Sequence, residues 1–264
     1  MNDATLVWAT PDIDTTLARI ARVSNPRNQD NPDIAGLLRY MEANGHVSPF
    51  EMANICVEVN TTRDIGRQIL RHRSMHFQEF SQRYADATVL GEPVWRECRL
   101  QDVKNRQNSL TTESAAHHDE WADAQQRVWD AARREYGYAL QRGVAKEVAR
   151  ALLPEGLTPT RMYVNATLRS WVHYLRSRLD PSTQKEHRLV AQSVLAILRQ
   201  VAPVTAAAFF PQPLWRVWPD GTVQLDGDPD YPWMSDDYST VYADDEEDAV
   251  RLALGYPSDG STPD

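Results

Sequence analysis

Ala53-Asn54-Ile55-Cys56-Val57-Glu58-Val59 alternates apolar and polar side chains. On an extended chain that period of two puts Ile55, Val57 and Val59 on one face, so the stretch predicts a half-buried β-strand. Downstream, Thr61 or Thr62 is placed to cap a helix running to about Arg73 with Ile65 and Ile69 inward. Ser74 to Thr88 shows no clear period and predicts a long loop. Upstream, His46 to Phe50 forms a turn, preceded by a helix from Asn31 to Gly45 with Ile34, Leu37, Leu38 and Met41 on one face. Further helices are predicted over Glu113 to Leu152 (Trp121, Ala124, Val128, Ala131, Ala139, Val144), Arg161 to Arg178 (Leu168, Trp171, Val172, Leu175) and Thr183 to Val201 (Val190, Val194, Ile197, Leu198, Val201). With strands early and helices late, the class is α+β with a single domain.

The 264 residues carry a net charge of −9, but the charge is divided. From Asp220 to the end there are 13 acidic residues and one basic, leaving 24 acidic and 27 basic before it, a balance of +3. A mildly basic body suits an anionic small ligand and is too weak a field for nucleic acid. We divide the chain into a domain over residues 1–215 and an acidic extension with prolines and tryptophans over residues 216–264. The extension reads as weakly structured apart from a short helix near Ala249 to Leu254, its charge serving solvation. No apolar run reaches roughly 18 residues, so no membrane span is expected. Met1 to Ala9 lacks the pattern of a secretory signal. Only Cys56 and Cys98 occur, which excludes a disulfide scaffold, and a reducing cytoplasm is the expected location.

Chemistry concentrates in Arg67-Gln68-Ile69-Leu70-Arg71-His72-Arg73 and the following Ser74-Met75-His76-Phe77-Gln78-Glu79-Phe80-Ser81-Gln82-Arg83-Tyr84. On one helix Arg67, Gln68 and Arg71 share a face. Clustered guanidiniums repel unless an anion sits among them, and their planar forks suit phosphate oxygens. Ser81 and Gln82 add neutral donors, and Glu79 supplies an acceptor for an arginine or for the N–H of a heterocycle. In outline this is a pocket for a phosphate and a base.

Arg71-His72-Arg73, seven residues and then Ser81 resembles the RHR-x7-S signature of the flavin-dependent thymidylate synthases. Glu79, Arg83 and Tyr84 match its extended form. His46-Val47-Ser48-Pro49-Phe50-Glu51, Ala149-Arg150-Ala151-Leu152-Leu153-Pro154, and Leu168-Arg169-Ser170-Trp171 with Arg178, Gln184 and Glu186 match further elements in collinear order. His76 and Gln78 depart from the usual Ser and Asn, and Ser182 from a frequent His.

The resemblance implies a central α/β portion flanked by long helices. It implies reductive methylation of dUMP to dTMP, with methylenetetrahydrofolate as carbon donor and FAD and NADPH as reductants. It also implies a homotetramer with shared sites. By matched position, Gln68, Ile69, Leu70 and Arg71 correspond to dUMP contacts from one subunit. Glu79, Phe80, Ser81, Gln82 and Arg83 correspond to those from another. Arg150 and Arg178 are further dUMP ligands, Arg178 being the catalytic one that promotes ionisation of the pyrimidine. Ser48, Arg71, His72, Arg73, Glu79 and His173 correspond to FAD contacts, joined by Asn165, Thr167 or Arg169.

The family uses no cysteine nucleophile, which agrees with two cysteines lacking a neighbouring activating histidine. His117, His118 and His187 lack carboxylates at metal-ligand spacing and read as surface histidines, so no metal is expected. No glycine-rich phosphate loop occurs.

Overall fold

The strand expected from Ala53 onward occupies Asn54–Thr62, and its neighbours make it an inner strand of the main sheet. A computed structural model describes residues 1–226 and 238–254. The first elements are β1 (Asp3–Ala9), α1 (Ile13–Ala21), α2 (Ile34–Ala43), β2 (Asn54–Thr62), α3 (Arg63–Ile69) and β3 (His76–Glu79). There follow β4 (Arg99–Gln101), β5 (Ser109–Thr111), α4 (Ala115–Gln141), α5 (Lys146–Ala149), β6 (Pro159–Thr167), α6 (Leu168–Arg178) and α7 (Lys185–Val201). The last are α8 (Pro203–Phe209), β7 (Leu214–Val217), β8 (Val223–Leu225), β9 (Ser239–Tyr242) and α9 (Glu246–Leu254). The class is α+β, and the chain forms two compact units, Met1–Ala206 and Ala207–Asp264.

In the first unit an antiparallel sheet runs β1-β2-β6-β3. Ile55, Val57 and Val59 are buried as their spacing requires. Cys56, on the opposite face, is buried too. α7 packs on β1 and β2 through Val190, Val194 and Leu198, and α6 contributes Leu168, Trp171, Val172 and Leu175 to the core.

Several predicted elements change on folding. Arg161 to Arg178 is not one helix. Its first part belongs to β6, where Thr160, Met162, Val164 and Ala166 are buried at period two. α6 begins at Leu168, where Thr167 Oγ1 caps it by accepting the Ser170 N–H at 3.3 Å. Within Ser74 to Thr88, β3 pairs with β6, from His76 opposite Asn165 to Glu79 opposite Met162. An edge strand with His76 and Gln78 in solvent leaves little apolar periodicity to read.

The helix from Thr62 stops at Ile69 rather than Arg73. Arg71 N–H bonds Gln68 O and His72 N–H bonds Ile69 O, i→i−3 bonds that close the last turn. Thr62 holds the N-cap position but turns its hydroxyl to Asp64 Oδ1 at 2.5 Å. Gly66 lets α3 approach β6, for a Cβ there would lie 3.0 Å from Met162 Cε.

The long region Glu113 to Leu152 breaks after Gln141, at Gly143 with φ +80°. The buried face of α4 is Gln125, Trp129 and Tyr136, whereas Trp121 and Val128 are exposed. The extension is also more ordered than its composition suggests. Its described residues form an antiparallel sheet β8-β7-β9 whose core joins Val217 and Ala243 to Ala249 of α9. Short alternating stretches such as Leu214–Val217 are hard to see among prolines and acids. The boundary expected at residue 215 lies inside this second unit, and Trp233 lies outside the described residues.

Candidate active site

α6 and the turn after α3 bring Arg71, His72, Arg73 and Ser74 against His173, Ser177 and Arg178 around a cleft of about 500 Å³. His173 and Ser177 share a face of α6, four residues apart. Among the described residues, Arg71, Arg73 and Arg178 form no ion pair with a carboxylate. Arg178 Nε donates to His72 Nε2 at 3.0 Å. A guanidinium only donates, so His72 carries its proton on Nδ1. Burial, then the positive neighbours Arg178, His173 and Arg71, hold His72 down to about 4, so the ring is neutral near pH 7. Its ring also lies edge-on to Tyr174, 5.0 Å between centroids. The arrangement fixes a cation at one end of a cleft rich in donors, which suits an anionic ligand.

A second cluster lies at the start of α6. Glu51 accepts from Thr167 Oγ1 at 3.0 Å and from Arg169 Nη1 at 2.8 Å. Glu51 belongs to the single turn Ser48–Met52, so the pair ties Ser48 to Thr167 and Arg169. Ser170 Oγ then donates to Ser74 O at 3.3 Å, joining the arginine-rich turn to the same place. Asn165 Oδ1 is buried without a partner. Sequence reasoning assigned no role to Glu51, although it stands in the quoted His46–Glu51 motif.

Behind Gln68 runs a polar chain. Gln68 Nε2 donates to Gln184 Oε1 at 2.8 Å, and Gln184 Nε2 donates to Glu186 Oε2 at 3.0 Å. Glu186 meets Arg96 at 3.0 Å and Arg99 at 2.8 Å. Despite its burial, those two guanidiniums keep its carboxyl below the usual range. Arg96 also donates to Asp64 Oδ1 at 2.8 Å. His187 Nδ1 lies 3.2 Å from Gln68 Oε1. His187 is fully buried, contrary to the surface position expected from its lack of metal-ligand spacing. Its place three residues before Val190 and four before Ala191 puts it on the buried face of α7, a signal the sequence did contain.

Arg67, Gln68 and Arg71 do not share one face, because α3 ends before Arg71. Arg67 turns to Glu155. With Arg63, Gln82, Glu147, Arg150 and Leu153 it lines a second cleft of about 530 Å³ that shares no lining residue with the first. Here most cations are already matched: Arg63 pairs with Glu79 at 2.8 Å and Arg83 with Glu147 at 3.3 Å. Thr160 Oγ1 also donates to Glu79 Oε1 at 2.8 Å. Arg150 has no carboxylate partner among the described residues, and Gln82 Nε2 is buried without a partner. Ser81 is exposed and Phe80 half-buried nearby. Leu70 is exposed, whereas the side chain of Ile69 belongs to the core and its carbonyl already accepts the His72 N–H, so Ile69 offers a ligand little.

Residues 5–204 match the family model described as "Thymidylate synthase complementing protein". The chain is 47% identical over 192 residues to a flavin-dependent thymidylate synthase of Synechocystis sp., covering 73% of this chain and 87% of the relative. It is 44% identical over 193 residues to a probable flavin-dependent thymidylate synthase of Paramecium bursaria Chlorella virus 1, covering 73% and 88%. The chain belongs to the flavin-dependent thymidylate synthase family. A UMP/dUMP methylase, PolB from Streptomyces cacaoi, solved with 5-Br dUMP, is similar with a TM-score of 0.68 and 27% identity, over 78% of this chain and 93% of that one.

As a member of the flavin-dependent thymidylate synthases, the chain presents its matched motifs in two places. Arg71 and Arg178 line the first cleft, Gln68 meets His187, whose ring feels the charge of Arg178, and Gln82 and Arg150 line the second. The matched FAD positions Ser48, Thr167 and Arg169 converge through Glu51. Glu79 is apart from them, held by Arg63. Burial pushes the Cys56 thiol up, away from a reactive thiolate. No group of three His, Cys, Asp or Glu side chains among the described residues could hold a metal ion. No described helix is long and apolar enough to cross a membrane.

Proposed function

We propose that this chain converts dUMP to dTMP in the cytoplasm as a homotetramer. Methylenetetrahydrofolate gives the carbon and becomes tetrahydrofolate, NADPH becomes NADP⁺, and carbon 5 of the pyrimidine exchanges its proton for a methyl group. When bound, FAD supplies hydride transfer, which no side chain performs.

The observation that carries this reading is the set of guanidiniums around the first cleft, Arg71, Arg73 and Arg178, with no carboxylate to neutralise them among the described residues. Arg71 binds the nucleotide beside Arg178. A fixed cation at the pyrimidine lowers the pKa of its N3 and stabilises negative charge as carbon 5 attacks. His72, neutral and accepting from Arg178, holds that guanidinium in place. Gln68 reads the base edge. Glu79 to Arg83 and Arg150, which belong to the second cleft or its rim, serve the nucleotide of another subunit. The unpartnered Gln82 Nε2 and Arg150 support that assignment.

The donor set also fits a flavin dinucleotide. Arg71 and Arg73 suit its diphosphate, Ser48, Thr167, Arg169 and His173 offer further donors, and Asn165 Oδ1 is an acceptor in want of a donor. The test is tritium release from carbon-5-labelled dUMP. Release that requires FAD, NADPH and the folate together is expected, and its absence with flavin-loaded protein overturns the reading.

A further inference from the structure

The chain behind Gln68 has a direction. Glu186 is buried, and Arg96 and Arg99 keep it ionised, so it can only accept hydrogen bonds. Gln184 must therefore turn its Nε2 toward Glu186 and its Oε1 toward Gln68. Gln68 must then present Nε2 to Gln184 and Oε1 to His187. His187 must carry its proton on Nδ1, which leaves Nε2 bare; that nitrogen is buried without a partner. Burial, with the charges of Arg178 and His72, holds this ring neutral, with a pKa of about 3.

We infer that Gln184 and His187 are positioning residues that lock the Gln68 amide in one orientation, and that this lock makes the site select uracil over cytosine. Each amide atom of Gln68 spends one hydrogen bond on the chain, leaving one N–H and one lone pair for a base. In the neutral form that binds, before N3 ionises, uracil offers a carbonyl at position 4 beside an N3–H donor, whereas cytosine offers an amino group beside a bare N3. An amide free to flip serves both edges, and one fixed at both atoms serves one. The inference rests on the proposed seat of the pyrimidine at Gln68, a seat the test examines separately.

The experiment measures dissociation constants of dUMP and dCMP by calorimetry on the flavin-loaded protein and three variants. Gln68→Ala is expected to weaken dUMP at least about tenfold. Gln184→Met, which keeps the side-chain length but cannot accept, removes the oxygen that dictates the direction of the amide and is expected to narrow the preference for dUMP over dCMP about tenfold. His187→Asn, whose Nδ2 can replace Nδ1 as donor to Gln68 Oε1, is expected to keep most of it. An unchanged preference in Gln184→Met, with Gln68→Ala weakened, overturns the lock alone. An unchanged dUMP affinity in Gln68→Ala overturns the seat and the lock together. Nitrogen NMR of the histidine-labelled wild type is independent of any variant's folding. It is expected to find His187 protonated at Nδ1 and bare at Nε2, and the opposite tautomer overturns the inference.

Discussion

Arg96 and Arg99 are nearly enclosed, with side chains 11% and 12% exposed, and both meet the buried carboxylate of Glu186. Arg71, Arg73 and Arg178 line a cleft where no carboxylate meets them among the described residues. The two regions use the same side chain to opposite ends. In the first, the charges are answered within the chain and fix α7 against the start of β4 and the segment just before it. In the second, the charges are left for a ligand, and the chain supplies only a neutral histidine to hold one of them. The second cleft stands between, since its acids answer Arg63, Arg67 and Arg83 but not Arg150.

This contrast can be broken by substitution. Glu186→Ala leaves two buried guanidiniums without their shared counter-ion, and should cost about 3–5 kcal/mol of stability, read by denaturant unfolding. A loss under about 1 kcal/mol would place the network among ordinary surface pairs. Arg178→Ala should behave oppositely. It should lower turnover at saturating dUMP about a hundredfold, near 3 kcal/mol, while stability and flavin content hold. Arg178→Lys should recover part of that, since a point charge does not reproduce the fork.

The histidines flanking Arg178 sharpen the contrast through pH. His72 and His187 titrate near 4 and 3 in the folded chain, below the roughly 6.5 of an unfolded histidine. Below pH 6.5 the unfolded chain therefore binds protons that the folded chain refuses. Stability should fall as pH drops from about 6.5 toward 4, by about 1.4 kcal/mol per unit for the fully enclosed His187. His187→Asn should remove that part of the slope in unfolding measured against pH. The smallest effect belongs to Arg67→Ala. Its ion pair with Glu155 is largely exposed, so dUMP affinity and stability should each change by less than about 1 kcal/mol.

The α+β class, β2, α2 and α7 were legible because each has a clean period on a half-buried face. β6 was not, because the helical spacing of Leu168 to Leu175 was carried back over residues whose period is two. β3 was hidden by polar edge positions. The arginine-rich turn and its partners were found by motif, yet motif alone could not show that α3 ends at Ile69, which sends Arg67 and Arg71 to different clefts. Glu51 and His187 escaped because their value lies in partners more than a hundred residues distant in sequence.

The central claim is that the nucleotide site joins the first cleft of one chain to the second cleft of another. Arg178→Ala and Arg150→Ala chains, each nearly inactive alone, should be co-expressed with different tags and purified as mixed oligomers. Shared sites predict that turnover returns to about a quarter of wild type, because random pairing unites an intact Arg178 with an intact Arg150 in that fraction of sites. Mixed oligomers as inactive as either parent would contradict it, because both arginines would then serve a site within one chain.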